Sequence, residues 1–385
     1  MNQLQRHIAP KILEALQKFP IIGIMGPRQS GKTTLCQMLK PTYTYVNLED
    51  ISLRSFAKND PKGFLETYKN GVIIDEIQYV PELFSYLQVY TDQRQINGEY
   101  LITGSQHFSL SQHISQSLAG RISLFHLLPL SLTELKQGHY NCDNWEDYVV
   151  NGAYPRKWIN DIDPVEYYGN YLNTYIERDV RMLKNIMNLD LFQKFIKLLA
   201  GRIGQLFNQS SLGNELGLDN KTINSWMSLL EASFIAFRLS PYHTNFNKRI
   251  VKTPKVYFYD TGLLAYLLGI RSAEDVKVHF AKGQLFENFI ILEKVKSTFN
   301  YKTHESYYFW RDSSGNEVDL LIEDGTKLQA VEIKSSKTIH TDFFKNLKQF
   351  SKVKSSVIPF LVYGGHEYQK RTNGTVLGFK QLNRM

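Results

Sequence analysis

The chain has 385 residues, 45 Lys+Arg against 37 Asp+Glu for a formal net charge of +8, and 43% apolar and 13% aromatic residues. That balance excludes a chain disordered throughout and supplies apolar material for more than one core, two or three at roughly 150 residues per domain. Cys36 and Cys142 are too few for a disulfide framework and too far apart for a Cys-x-x-Cys clip, which suits a reducing compartment and two unremarkable thiols.

At the amino end, Arg6, His7, Lys11, Glu14 and Lys18 interrupt Ile8, Ile12, Leu13 and Leu16 with a helical period, so a signal peptide is not expected. No apolar run approaches the ~18 residues of a membrane span. A soluble, cytoplasmic protein without a membrane partner is the expectation. The ten histidines show no His-Glu-x-x-His spacing, and no zinc site is expected.

Ile21-Ile22-Gly23-Ile24-Met25 has the pattern of a buried strand and runs directly into Gly26-Pro27-Arg28-Gln29-Ser30-Gly31-Lys32-Thr33-Thr34 and a helical stretch to Lys40. This is a phosphate-binding loop. Its glycines let backbone N–H groups wrap a polyphosphate, the helix starting near Gly31 points its positive end at the anion, Lys32 reaches the β and γ phosphates, and Thr33 can hold Mg2+. The segment GVIIDEIQ (71–78) supplies the acidic half: a β-branched strand, then Asp75 to hold the magnesium shell and Glu76 as general base toward the attacking water. A further strand ending Thr103-Gly104-Ser105-Gln106 brings Thr103 or Ser105 to the carboxyl edge of the sheet, as a sensor of the γ-phosphate or as a helix cap. Arg121, ahead of an apolar segment, is either a finger on the transferring phosphoryl group, in cis or from a neighbouring subunit, or a solvated surface arginine.

The set GPRQSGKTT, VIIDEIQ, LITGSQ, SLAGRI and LPLSLTEL, followed by Gly152-Ala153-Tyr154-Pro155 and YIERDV (175–180), resembles the predicted AAA-type ATPases of bacteria and archaea. In that family a P-loop domain is fused to a C-terminal domain of unknown function resembling restriction-type nucleases. The resemblance covers nearly the whole chain, with its most specific pieces in the first 135 residues. It implies ATP and Mg2+ as cofactors, Asp75 and Glu76 as the acidic pair, a polar sensor at Thr103 or Ser105, and Arg121 as the finger.

Residues 136–145 are polar and turn-rich and mark a boundary, followed by a helical connector to about residue 200. From Ser210 the pattern becomes helix, short turn at Leu218-Asp219-Asn220, and second helix from Lys221 with Ile223, Trp226, Leu229 and Leu230 on one stripe. Strand-like segments at 234–239 and 255–259 flank a loop and complete a winged helix-turn-helix. Between Asn245 and Val256, Lys248, Arg249, Lys252 and Lys255 supply four basic residues and no acid, suited to neutralising phosphates along a duplex. Lys221 is the only charged residue of the second helix before Glu231, so non-specific DNA contact is favoured over sequence readout, and docking of a protein or a second copy stays open beside it.

In the C-terminal third, Glu287 lies on a helix beside an otherwise apolar stripe, and 307–311, 317–322 and 328–335 read as a three-strand meander. With Asp324-Gly325 as a two-residue turn, Asp319 faces Ala330. Alternation puts Asp319, Glu332 and Lys334 on one face and Val318, Leu320, Val331 and Ile333 on the other. Diagonal neighbours lie roughly 7–8 Å apart, near enough for Asp319 and Glu332 to share a Mg2+ about 2 Å from each oxygen, with Lys334 beside its water. The spelling Glu287…Asp319…Glu332-Ile333-Lys334 resembles the PD-(D/E)XK nuclease core, whose chemistry is metal-assisted phosphodiester hydrolysis; a solvated face with an ordinary ion pair is the plainer reading.

The expected fold class is α/β: a P-loop NTPase (AAA-like) parallel-sheet domain at 1–137, a helical connector at 138–200, a winged helix-turn-helix at 201–257 and a smaller restriction-nuclease-like α/β domain at 258–385. The expected function is ATP hydrolysis coupled to a metal-dependent nuclease acting on nucleic acid. The alternative is a regulatory or adaptor ATPase switch whose C-terminal domains bind without cutting.

Overall fold

The computed structural model describes residues 4–105, 118–175, 188–242, 253–354 and 356–385. Three of the expected basic residues, Lys248, Arg249 and Lys252, lie outside them, as do Gln106, Ser117 and residues 176–180 of the quoted motifs. The chain divides into two compact units: Met1–Gly138 with Ala232–Phe234 and Phe299–Lys302, and His139–Glu231 with Ile235–Thr298 and Thr303–Met385. Among the described residues no helix is long and apolar enough to cross a membrane.

The first unit is built on five strands, β1 (Ile21–Met25), β2 (Thr44–Asn47), β3 (Val72–Asp75), β4 (Tyr100–Gly104) and β5 (Ile122–His126), in the order β2-β3-β4-β1-β5, every pair parallel. β1, β3 and β4 are buried along their whole length, the continuous apolar pattern of a parallel sheet covered on both faces. The helices are α1 (Ala9–Leu16), α2 (Lys32–Leu39), α3 (Ile51–Asn59), α4 (Pro61–Thr67), α5 (Leu83–Arg94) and α6 (Leu132–Gln137). Ile8, Ile12 and Leu16 of the amino-terminal stripe pack with Leu35 and Cys36 of α2 on Ile22, Ile24, Ile73 and Leu101 of the sheet. Parallel pairing brings all the carboxyl ends to one edge. β4 runs between β1 and β3, with Thr103 level with Ile24 on one side and Ile102 level with Ile74 on the other.

The second unit holds β6 (Ala236–Pro241), β7 (Lys255–Phe258), β8 (Ser306–Arg311), β9 (Glu317–Asp324), β10 (Lys327–Lys334), β11 (Val357–Tyr363), β12 (Gln369–Arg371) and β13 (Gly374–Gly378). They form one mixed sheet, β12-β13-β11-β10-β9-β8-β6-β7. Its helices are α7 (Trp145–Asn151), α8 (Pro155–Ile159), α9 (Pro164–Tyr175), α10 (Leu189–Ala200), α11 (Gln209–Leu216), α12 (Asn220–Ala232), α13 (Thr261–Leu267), α14 (Ala273–Val278), α15 (Lys282–Tyr301) and α16 (Lys345–Val353). Asn208 caps α11, Gly217 ends it in the left-handed region, and Trp226 of α12 packs edge-on against Phe192 and Phe195 of α10. β6 and β7 pair antiparallel as expected of a wing, but β6 also pairs in parallel with β8 through Ser240 and Pro241. The boundary expected at residue 257 thus falls inside a strand of the C-terminal sheet.

Two details of the meander differ from expectation. Gly325, at φ 58°, takes the first central position of the β9–β10 turn, so Lys327 pairs with Asp324 and Val331 with Leu320, and Asp319 does not face Ala330. A displacement of two residues preserves the alternation along β10. The register with β8 also shifts between Tyr308 and Trp310, which sets Asp319 and Leu320 of β9 together opposite Phe309. Val318, expected on the opposite face, therefore packs in one cluster with Leu321 and Ala330 beneath Leu347 and Phe350 of α16.

Candidate functional sites

At the carboxyl edge of the first sheet, the loop after β1 turns sharply because no side chain fits at Gly26, where a Cβ would stand 2.2 Å from Leu127 O. Gln29 and Gly31 adopt left-handed φ of 61° and 94°, and among the described residues no side chain caps the amino end of α2. Lys32 is buried and donates to the carbonyls of Gly26 and Pro27 at 2.9 and 2.8 Å. Arg28 pairs with Glu49 at 3.5 Å. The hydroxyl of Ser30 is buried without a hydrogen-bond partner among the described residues, which fits a ligand oxygen in this loop.

β3 delivers the acids. Thr33 and Tyr45 donate to one oxygen of Asp75 at 2.7 and 2.8 Å, and Thr103 donates to the other. Burial and the neighbouring Asp75 push the Tyr45 phenol well above its usual range, so it stays a donor. Glu76 sits at φ 57°, a conformation uncommon outside glycine and frequent where strain serves a site. Its carboxylate accepts from Ser105 at 3.2 Å and from the amide of Gln78. The structure thus brings Thr33, Asp75, Glu76, Thr103 and Ser105 together beside the loop; Thr34 follows Thr33 into α2.

Arg121 is not part of this arrangement. It lies ahead of β5, where its carbonyl accepts from Ile21 N at the start of β1, the edge opposite the loop. Its guanidinium grips Asp92 through two bonds of 2.6 and 2.7 Å. The five-residue strand β1 separates it from the loop by roughly 16 Å at 3.3 Å per residue, which removes the cis finger.

Arg6 was missed. Its guanidinium donates to Glu134 at 3.1 Å, to Ser30 O at 2.8 Å and to Leu128 O at 2.6 Å, all buried. Glu134 also accepts from the backbone of Ser131 and His7, both at 2.8 Å. Burial works to raise the Glu134 carboxyl, but Arg6 and those N–H groups overcome it and hold the pKa below its usual value. The only local signal was Ser131 three residues before Glu134, a capping-box spelling.

In the second unit, the β9–β10 ladder ends at Leu320 and Val331, and the next free donor, Ile333 N, gives its hydrogen to Asp319 Oδ2 at 2.7 Å. Lys334 Nζ stands 3.5 Å from Asp319 and 2.7 Å from Glu332. Asn346 of α16 donates to Glu332 Oε1 at 3.3 Å, while Glu332 Oε2 is buried with no partner among the described residues. Burial, with Asp319 adding, pushes Glu332 up to about 8; burial pulls on Lys334 the other way, but Asp319 and Glu332 hold it above its usual value.

Glu287, on α15, takes its hydrogen bonds from β7. Lys255 and Tyr257, two residues apart on one face of β7, both donate to its Oε1, at 3.2 and 2.5 Å, and Lys255 also reaches Glu317 at 2.5 Å. Burial pushes Glu287 up to about 7, with Lys255 opposing and Asp319 and Glu317 assisting. Lys255 was expected in a basic wing; it is 3% exposed and committed to carboxylates, so it meets no duplex there. Asn288 places its neighbour Glu287: its amide accepts from Phe258 N at 2.7 Å and donates to Phe258 O at 3.1 Å, on the edge strand of the sheet. Among the described residues no three His, Cys, Asp or Glu side chains are grouped to hold a metal ion.

Residues 18–136 match a family described as "AAA domain". Residues 142–274 and 282–382 match two families, each described as a domain of unknown function (DUF8612 and DUF4143). An uncharacterized protein of Mycobacterium tuberculosis and one of Mycobacterium bovis are each 29% identical over 340 residues, 87% of this chain and 74% of theirs. Among solved structures, a Walker-type ATPase of Pyrococcus abyssi is similar at 13% identity and a TM-score of 0.48, over 69% of this chain and 96% of that one. A single-substitution variant of the RuvB protein of Thermotoga maritima is similar at 15% identity and a TM-score of 0.32, over 60% and 88%. With its loop, acids and parallel sheet, the first unit is a P-loop ATPase domain of the AAA type.

Proposed function

We propose that the chain hydrolyses ATP in its first unit and cuts nucleic acid, with a divalent cation, at Asp319, Glu332 and Lys334 in its second. The observation that carries the first part is the pairing of two acids with two hydroxyls at the end of β4, Asp75 with Thr103 and Glu76 with Ser105, beside the phosphate loop. Lys32 leaves the loop carbonyls for the β and γ phosphates, and the N–H groups of the loop and α2 cradle the anion. Thr33 and Asp75 hold Mg2+, which offsets charge on the phosphates when bound. Glu76 accepts the proton of the water whose oxygen bonds to the γ-phosphorus as the bond to the β-bridging oxygen breaks. Thr103 and Ser105, each touching one acid, report the state of the γ-phosphate. Arg121 is left with a role only from a neighbouring copy.

The second part is supported by the buried, unpartnered oxygen of Glu332 beside Asp319, a donor pair that fits a hard cation. Such a cation lowers the pKa of its water; Lys334 offsets charge on the phosphorus. The α11–α12 pair with β6 and β7 serves as a winged helix that contacts DNA without sequence readout, and ATP turnover gates access to the cutting site. A second reading, in which this unit binds protein or DNA without cutting, is favoured by the lack of a three-acid ligand set among the described residues. Phosphate release under Mg-ATP tests the first part: Lys32→Ala should lose nucleotide binding, and Glu76→Gln should bind ATP with turnover down roughly 10²- to 10⁴-fold. Equal turnover in Glu76→Gln and the natural chain removes Glu76 from its role.

A further inference from the structure

Lys255 is a buried ammonium with three neighbours of complementary charge or polarisability: Glu287 at 3.2 Å, Glu317 at 2.5 Å and the face of Phe309, 5.4 Å from the ring centroid. A buried ammonium is costly unless its charge is answered, and here two carboxylates answer it. Lys334 stands in the same relation to Asp319 and Glu332. Two acid pairs are thus joined along β9, whose Glu317 and Asp319 alternate onto the site, and each pair has its own lysine.

The pairs differ in one respect. Among the described residues Glu332 keeps a buried oxygen without a partner, whereas Glu287 takes Lys255 and Tyr257 on one oxygen and belongs to no three-acid metal group. Charge points the same way: Glu287 and Glu317 are answered by Lys255 and by Arg311, which stands 3.6 Å from Glu317, whereas Asp319 and Glu332 share Lys334.

Resting on the cation site proposed above, we infer that Lys255 is a built-in cation that takes the place of a second metal ion, so that this unit binds one divalent ion and not two. Glu287 then acts as a positioning residue, holding Lys255 and closing the far side of the site, and is not a metal ligand.

Counting bound Mn2+ on the full chain without nucleotide tests this, by the electron paramagnetic resonance of free Mn2+. The count is made in an Asp75→Asn background to silence the first unit, with Asp75→Asn/Asp319→Ala as the reference. One ion more than the reference is expected with Lys255 present, and two with Lys255→Met, whose vacated carboxylates then recruit a metal. Lys255→Arg, which keeps the charge, should stay at one. Two ions with Lys255 intact overturn the inference while leaving the cation site standing, and need no variant of Lys255 to be seen. A count of one in a folded Lys255→Met chain, checked by circular dichroism, also overturns it. No ion above the reference overturns the proposed cation site itself, and the inference with it.

Discussion

Asp75 gathers hydrogens from Thr33, Tyr45 and Thr103, donors from α2, β2 and β4, so three elements converge on one carboxylate. Tyr45→Phe removes one donor without changing shape, at a cost of about 1 kcal/mol; the apparent Mg2+ requirement of phosphate release should shift while ATP binding holds. Arg6 matters more, because it links Glu134 to the carbonyl of Ser30 inside the phosphate loop. Arg6→Met leaves Glu134 buried without its charge partner, a loss of about 3–5 kcal/mol. Thermal unfolding should show that loss, and the KM for ATP should rise more than kcat falls. The Glu134 carboxyl, held below its unfolded value of 4.5, contributes stability that is present above that pH and lost as pH falls through the folded value. Acid unfolding of the natural chain should therefore steepen below about pH 4.5, and Glu134→Gln should flatten that limb; identical acid limbs would show the pair contributes nothing.

At the scale of elements, the end of the β9–β10 ladder and the shift against β8 explain why Asp319 turns into the site: its carboxylate takes the first backbone donor that the ladder leaves over. Alternation along β10 was legible because a period of two survives a register slip of two residues. The bulge was not legible, since no glycine or proline marks 318–321. On β7, Lys255 belonged by sequence to a run of basic residues, and only pairing with strands and a helix distant in sequence turns it inward. Its burial has a measurable consequence. If Lys248, Arg249 and Lys252 contact phosphates, replacing them with Ala should reduce the slope of log K against log salt for DNA by roughly 0.9 per contact, and Lys255→Met should leave that slope unchanged. The helix pair itself rests on α10 through Trp226, Phe192 and Phe195; Trp226→Ala should cost about 3–5 kcal/mol in denaturant unfolding.

For the molecule as a whole, local spellings carried what local chemistry dictates: a strand, a glycine loop and a helix in succession, acids at a strand end, and an alternating meander. What joins residues far apart escaped, Arg6 to Glu134 across 128 positions and Tyr257 to Glu287 across 30, because spacing along the chain says nothing of which edges and helices meet. In the proposed function the two units carry different chemistries, and the claim that ties them together is that the second cuts nucleic acid. The direct measurement is cleavage of mixed single- and double-stranded DNA and RNA in Mg2+ or Mn2+, with and without ATP, by the natural chain and by Asp319→Ala. Cleavage by the natural chain that Asp319→Ala loses is the expected result. No cleavage of any substrate, or equal cleavage by Asp319→Ala, would contradict it and leave an ATP-driven switch whose second unit binds without cutting.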